Sequence, residues 1–134
     1  VQIARKVLLK VVVTDDFKKR YANQIKTVQN EVNVELEKIK TTEQQFLLKV
    51  NTMDYNYVMQ VREQLEREKA TRESTIKELD ARLKEMEAMT DGSVFTQGTL
   101  DSFVDLKEGD NLEDKLGKAE IVIKDGVIQT ITEG

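Results

Sequence analysis

Six acids, Asp101, Asp105, Glu108, Asp110, Glu113 and Asp114, fall within fourteen residues, a carboxylate density from which a Ca²⁺ or Mg²⁺ site could be built. A calcium loop also needs ligands at alternating positions around a central glycine, and Asp110-Asn111-Leu112-Glu113-Asp114 does not supply them. The expectation is therefore solvated turns and no metal. Carboxylate pairs can also cleave glycosidic bonds, but they need a concave site that perturbs their pKa values. With three tyrosines, four phenylalanines and no tryptophan, the chain has few rings to line one. Histidine and cysteine are absent altogether. That removes the imidazole base, the thiolate nucleophile, the Ser-His-Asp triad and the Cys/His zinc site. Every proton transfer would fall to Asp, Glu, Lys or Tyr, and no enzyme is expected. The glycines lie at turn spacing in neither G-x-x-x-x-G-K-[ST] nor G-x-G-x-x-G, so no phosphate loop and no cofactor is expected.

The elements that must carry these residues follow from patterning along the 134-residue chain, a length typical of one domain. From Gln2 to Val13, Ile3, Val7, Leu9, Val11 and Val13 recur at a spacing of two, broken only by Arg5, which is the signature of a half-buried strand. Thr14, Asp15 and Asp16 then supply an N-cap and first-turn acids. From Phe17 to Met89 there is neither glycine nor proline, and Glu, Lys, Gln, Leu, Arg and Val dominate, as in a very long helical region. Its first half repeats every eleven residues: Phe17, Tyr21 and Ile25, then Val28, Val32 and Leu36, then Ile39, Glu43 and Leu47. Its second half follows a heptad through Ile76, Leu79, Leu83 and Met86, which continues backward into Arg72, Lys69, Leu65 and Arg62, a seam weak in the middle. Glu63–Arg67, Glu68–Arg72 and Glu78–Arg82 stand four apart, in the order that supports a solvated helical face.

A single rod over this region would be about 110 Å long and would separate the two β-like ends. Asn51-Thr52-Met53-Asp54 is the break signal, with Asn51 as a left-handed C-terminal residue and Thr52 or Asp54 as a new N-cap. Cutting there yields matched helices of about 55 Å that would fold back on each other and return Thr90 to the level of Thr14. Beyond Asp91-Gly92 the chain turns to short strands. Ser93–Thr96 and Ser102–Leu106 are expected to flank a turn at Gly98. Asn111 is expected to cap a short helix ended by Gly117, and Ala119–Lys124 and Val127–Ile131 flank Asp125-Gly126, a strong hairpin signal. In a two-residue hairpin Ile123 lies opposite Ile128 and Lys124 opposite Val127. The expected fold is α+β: a long antiparallel two-helix coiled-coil hairpin inserted between an N-terminal strand and a small C-terminal β-sheet or partial barrel of four or five strands. The divisions are residues 1–14, 15–89 with a turn near 51–54, and 90–134.

Leu106-Lys107-Glu108-Gly109-Asp110 and Glu120-Ile121-Val122-Ile123-Lys124-Asp125-Gly126-Val127-Ile128, with the strand-like start and the Glu/Lys-rich middle, resemble the YlqD family of uncharacterised bacterial proteins. The resemblance spans essentially the whole chain. It implies a small bacterial cytoplasmic protein with no established activity and no functional residues to carry over.

Charge and apolar clustering bound the partners. Residues 1–14 carry Arg5, Lys6 and Lys10 and no acid, whereas residues 90–134 carry four lysines against ten acids, so pairing of the two ends is modestly favoured. No stretch is basic enough for a nucleic-acid footprint, although a nucleic-acid- or ribosome-associated module is the alternative reading. No apolar run can span a bilayer, and the alternating N-terminus lacks the apolar core of a signal peptide, so a cytoplasmic location without membrane contact is expected. One cluster departs from a plain structural role. Phe46, Leu47, Leu48, Val50, Met53, Tyr55, Tyr57, Val58, Met59 and Val61 crowd around the expected turn, more apolar groups than one two-helix seam can hold. Phe46, Leu47, Met53, Tyr55, Tyr57 and Met59 are therefore the candidate partner-binding residues. The function expected is a non-enzymatic interaction or scaffold protein that forms a homo-oligomer through its coiled coil and captures a protein partner at that tip.

Overall fold

The first strand, β1 (Gln2–Val12), obeys its alternation: Val7 and Val11 are buried, and Val13, just past its end, is fully enclosed. The computed structural model describes residues 1–133. The chain divides into two compact units, one formed by Val1–Lys19 with Met89–Gly134 and the other by Arg20–Ala88.

In the first unit β1 is the organising strand. It pairs antiparallel with β2 (Val94–Asp105) and parallel with β3 (Ala119–Lys124), and β4 (Val127–Thr132) pairs antiparallel with β3, giving the sheet order β2-β1-β3-β4. This is a four-stranded sheet with two edges. The two strands expected around Gly98 are one, because the eleven-residue β1 offers a partner along their whole length. Gly98 pairs with Leu9 and Thr96 with Lys10, so Gln97 is the additional residue of a bulge where a turn was expected. The Asp125-Gly126 hairpin forms in the expected register, Ile123 with Ile128 and Lys124 with Val127. Both turn residues have positive φ, 47° and 83°, as a type I′ connection requires. Here too an edge strand is bulged: Val122 pairs with Thr130, leaving Gln129 as the additional residue and setting Ile131 opposite Ile121.

The opposite charges of the chain ends meet across this sheet, with Lys6 paired to Asp101 on β2 and Lys10 to Glu120 on β3, the latter at 3.0 Å. Arg5, the interruption in the apolar alternation, donates from Nη1 to the carbonyls of Lys115 (3.0 Å) and Glu133 (3.2 Å). Helix α1 (Asp15–Leu47) starts where expected, Thr14 Oγ1 accepting from the amide of Phe17 at 3.1 Å. Phe17 packs on Phe95 of β2 with ring centroids 6.0 Å apart. A single turn, α3 (Leu112–Lys115), is capped by Asn111, whose side chain accepts from the amide of Asp114.

The second unit holds the rest of α1 and α2 (Tyr55–Ala88), of 33 and 34 residues in full, each about 50 Å long. From Ile25 onward the shielded positions on α1 are Ile25, Gln29, Val32, Leu36, Ile39, Glu43 and Phe46, alternately four and three apart. The eleven-residue repeat is therefore overturned at Val28 and Leu47, both exposed. A stripe that must keep facing one neighbouring helix drifts less at 3.5 residues per turn than at 3.67. On α2, Leu65, Leu79 and Met86 are buried. The weak middle of the seam is closed by charge: Lys69 Nζ lies 3.0 Å from the Glu43 carboxylate and 2.7 Å from Glu66, and Arg72 Nε lies 3.2 Å from Glu35. Contacts of α1 residues 35, 43 and 46 with α2 residues 72, 69 and 57 run in opposite directions, so the pair is a helical hairpin. Arg72 thus turns across the hairpin to Glu35, in place of the expected four-apart partner Glu68. Among the described residues no helix is long and apolar enough to cross a membrane.

Candidate interaction site at the helical turn

The connection between α1 and α2 is residues 48–54, with a 3₁₀ turn at Val50–Thr52. It begins three residues earlier than the sequence break signal placed it. Asn51 is not left-handed, since Asp125 is the one described non-glycine residue with positive φ. The chain reverses through successive short hydrogen bonds instead: Lys49 N to Phe46 O (2.9 Å), Thr52 N to Lys49 O (3.4 Å) and Met53 N to Val50 O (3.1 Å). This arrangement needs no positive φ, only the i→i+3 geometry of a 3₁₀ turn. Asp54 caps α2, its Oδ2 accepting from the amide of Tyr57 at 3.3 Å. Of the two expected N-caps, Asp54 takes the role.

The ten apolar residues of this region divide evenly. Phe46, Val50, Met53, Val58 and Val61 are half-buried, and Leu47, Leu48, Tyr55, Tyr57 and Met59 are exposed. Phe46 meets Tyr57 edge-on, centroids 6.2 Å apart at an interplanar angle of 68°, an arrangement that suits the ring quadrupoles. Of the six candidate partner-binding residues, Phe46 and Met53 are thus spent largely on sealing the turn. Leu47, Tyr55, Tyr57 and Met59 present apolar surface to water. Leu48 was not among the six, yet at 83% exposed it stands out furthest, ahead of Tyr55 at 74%. Its signal was positional: it follows the last residue of α1, where no neighbouring turn of helix shields it.

The acids that might have held a metal are dispersed. Asp101 pairs with Lys6, Asp110 Oδ2 accepts from the amide of Lys107 (2.9 Å), and among the described residues no group of three or more acids converges on a common point. The surface at the turn is built from apolar side chains on and beside a capped, hydrogen-bonded connection.

Comparison with known proteins bears on the fold and the family. No curated protein matches the chain. Among solved structures, a protein of unknown function from Synechococcus sp. WH 8102 shares the fold with a TM-score of 0.85 at 23% identity, over 99% of this chain and 95% of that one. A family model described as YlqD protein matches residues 1–132, and with essentially its whole length covered the chain belongs to the YlqD family.

Proposed function

We propose that this chain is a non-enzymatic, cytoplasmic interaction protein. In this reading its paired helices act as a coiled-coil spacer, it self-associates, and the apolar turn between α1 and α2 captures a partner protein. The observation that carries the reading is the exposure of Leu47, Leu48, Tyr55, Tyr57 and Met59 on and beside one capped connection. Connections in soluble proteins are ordinarily polar, and clusters of exposed apolar side chains are characteristic of recognition sites. Tyrosine suits such a site because its ring buries area while its hydroxyl stays wet.

The test is a double substitution, Leu48→Ser with Tyr55→Ser, chosen because neither side chain seals the turn. Circular dichroism of the variant should match the wild type within a degree or two of melting temperature. Pull-down from a native bacterial lysate should lose partner capture at least tenfold, the scale of losing interface anchors. Capture that falls steeply with added salt would favour the nucleic-acid alternative, whereas apolar recognition should be nearly insensitive to it. Unchanged capture in the variant would dismiss the turn as the binding surface.

A further inference from the structure

The face of the β-sheet that carries Val7 and Val11 is apolar in rows running across all four strands. One row is Gly98, Leu9, Ile121 and Ile131, and the next is Phe95, Val11, Ile123 and Ile128. Along both rows the two central strands are the most covered, and burial falls from them towards β4. Val11 on β1 is buried, Leu9, Ile121 and Ile123 are half-buried, and on β4 Ile128 and Ile131 are 54% and 61% exposed. Phe17 covers the Phe95 end, and nothing in this unit covers the β4 end comparably.

The bulge at Gln129 makes this exposure more than the scatter of an edge strand. With unbroken pairing from Ile123–Ile128, Ile131 would fall opposite Glu120 on the other face, beside the Lys10–Glu120 ion pair. The additional residue moves it opposite Ile121, so two isoleucines gather on the apolar face where they are least covered.

From this geometry we infer that the face is the contact through which two copies of the chain associate, sheet against sheet about a two-fold axis. The inference rests on the self-association proposed above and locates it on the sheet instead of the helices. Three observations favour a second copy as the occupant. A two-fold contact sets each group near its own symmetry mate, so a patch with unpaired charge repels itself. Along these two rows there is no charged residue, and Arg5, the charged strand residue on the same face, lies outside them and donates from Nη1 to two backbone carbonyls. Edge-to-edge pairing is disfavoured because both edge strands are bulged, which leaves the face. The exposure also fits. On this face Leu100, Ile128 and Ile131 are 45%, 54% and 61% exposed, the kind of apolar centre around which a standard interface of about 800 Å² per partner is built.

Light scattering on the intact protein should give twice the 15.4 kDa of one chain, falling to one chain in Ile128→Glu/Ile131→Glu. Because both side chains are more than half exposed, far-UV circular dichroism of that variant should be unchanged. Ile128→Thr/Ile131→Thr, which keeps strand propensity, should raise the dissociation constant at least tenfold and guards against misfolding of the glutamate variant. Leu48→Ser/Tyr55→Ser at the helical turn should keep the wild-type mass, so loss of partner capture and loss of the dimer are read separately. A wild-type mass of one chain, a mass above two, a threonine variant that binds itself as tightly as wild type, or a dimer dissolved by the helical-turn variant would each overturn the assignment.

Discussion

Asp125 and Gly126, with φ of 47° and 83°, connect β3 to β4 through a turn that a β-branched residue resists at its second position. A Cβ at Gly126 would meet no atom within 4 Å, so the cost of substitution there is conformational and not steric crowding by neighbours. Gly126→Val should therefore destabilise the sheet unit by about 1–3 kcal/mol, whereas Gly126→Asn, which tolerates the left-handed region, should cost less. Thermal melts of the two variants check this, and an unchanged melting temperature for valine would remove the strain account. Thr14 offers a second residue-level case, since its hydroxyl accepts from the Phe17 amide and also donates to Asp125 Oδ1 at 2.7 Å. Thr14→Ala should cost about 1 kcal/mol, a cap's usual worth, and Thr14→Ser should recover most of it in urea titrations.

At the scale of elements, the helical hairpin depends on charge where its seam runs out of apolar groups. Lys69 is 17% exposed and Glu43 22%, and Lys69 also holds Glu66. Its hydrogen bond and charge draw the Glu66 pKa below the ordinary 4.5, and the hydrogen bonds to Glu66 and then Glu43 raise that of Lys69 above 10.5. A depressed carboxylate contributes stability that is complete above its unfolded pKa and lost as pH falls through the lower folded value. A raised lysine contributes stability that is complete below its unfolded pKa and lost as pH rises through the higher folded value. The cluster's contribution should thus be flat between about pH 5 and pH 10 and decline on either side. Lys69→Met should lower the melting temperature at pH 7 by several degrees and flatten the decline on the acid side, because Glu66 then has no lysine to lose. Replacing Glu43 and Lys69 together by leucine should restore or exceed wild-type stability, since leaving one charge unpaired in a shielded seam is worse than removing both. Helix content followed against temperature at a series of pH values would decide both outcomes.

For the molecule as a whole, the two units differ in how they carry charge and exposed apolar groups. The sheet unit carries two cross-strand ion pairs, Lys6 with Asp101 and Lys10 with Glu120, on the face opposite its apolar rows. The hairpin unit gathers exposed apolar groups at its turn. If these surfaces serve self-association and partner capture respectively, substitutions in one should leave the function of the other intact within a factor of two or so, as expected for sites without shared contacts. A variant carrying both Ile131→Glu and Leu48→Ser should therefore show both losses, each the size of its own single change. Light scattering and pull-down on the single and double variants measure that independence.

By itself the sequence determined whatever local patterning controls. The alternation of β1, the Thr14 cap, the glycine-free helices, the Asp54 cap and the register of the Asp125-Gly126 hairpin all depend on residues close in the chain. The crowding of apolar groups around the helical turn was legible for the same reason, as an excess over what one seam can hold. Only the tertiary structure decided where partners are distant. Gly98 became part of a bulge because β1, more than eighty residues away, carries the strand straight through it. The seam of α1 took Gln29 and Phe46 in place of Val28 and Leu47, because the helix opposite fixes which face is covered. Lys69 already lay on the heptad seam, but its partner Glu43 on the other helix was decided only by the fold. Which of ten apolar residues seal the turn and which face water followed from the path of the 3₁₀ connection, and hydrophobicity alone cannot rank residues that share it.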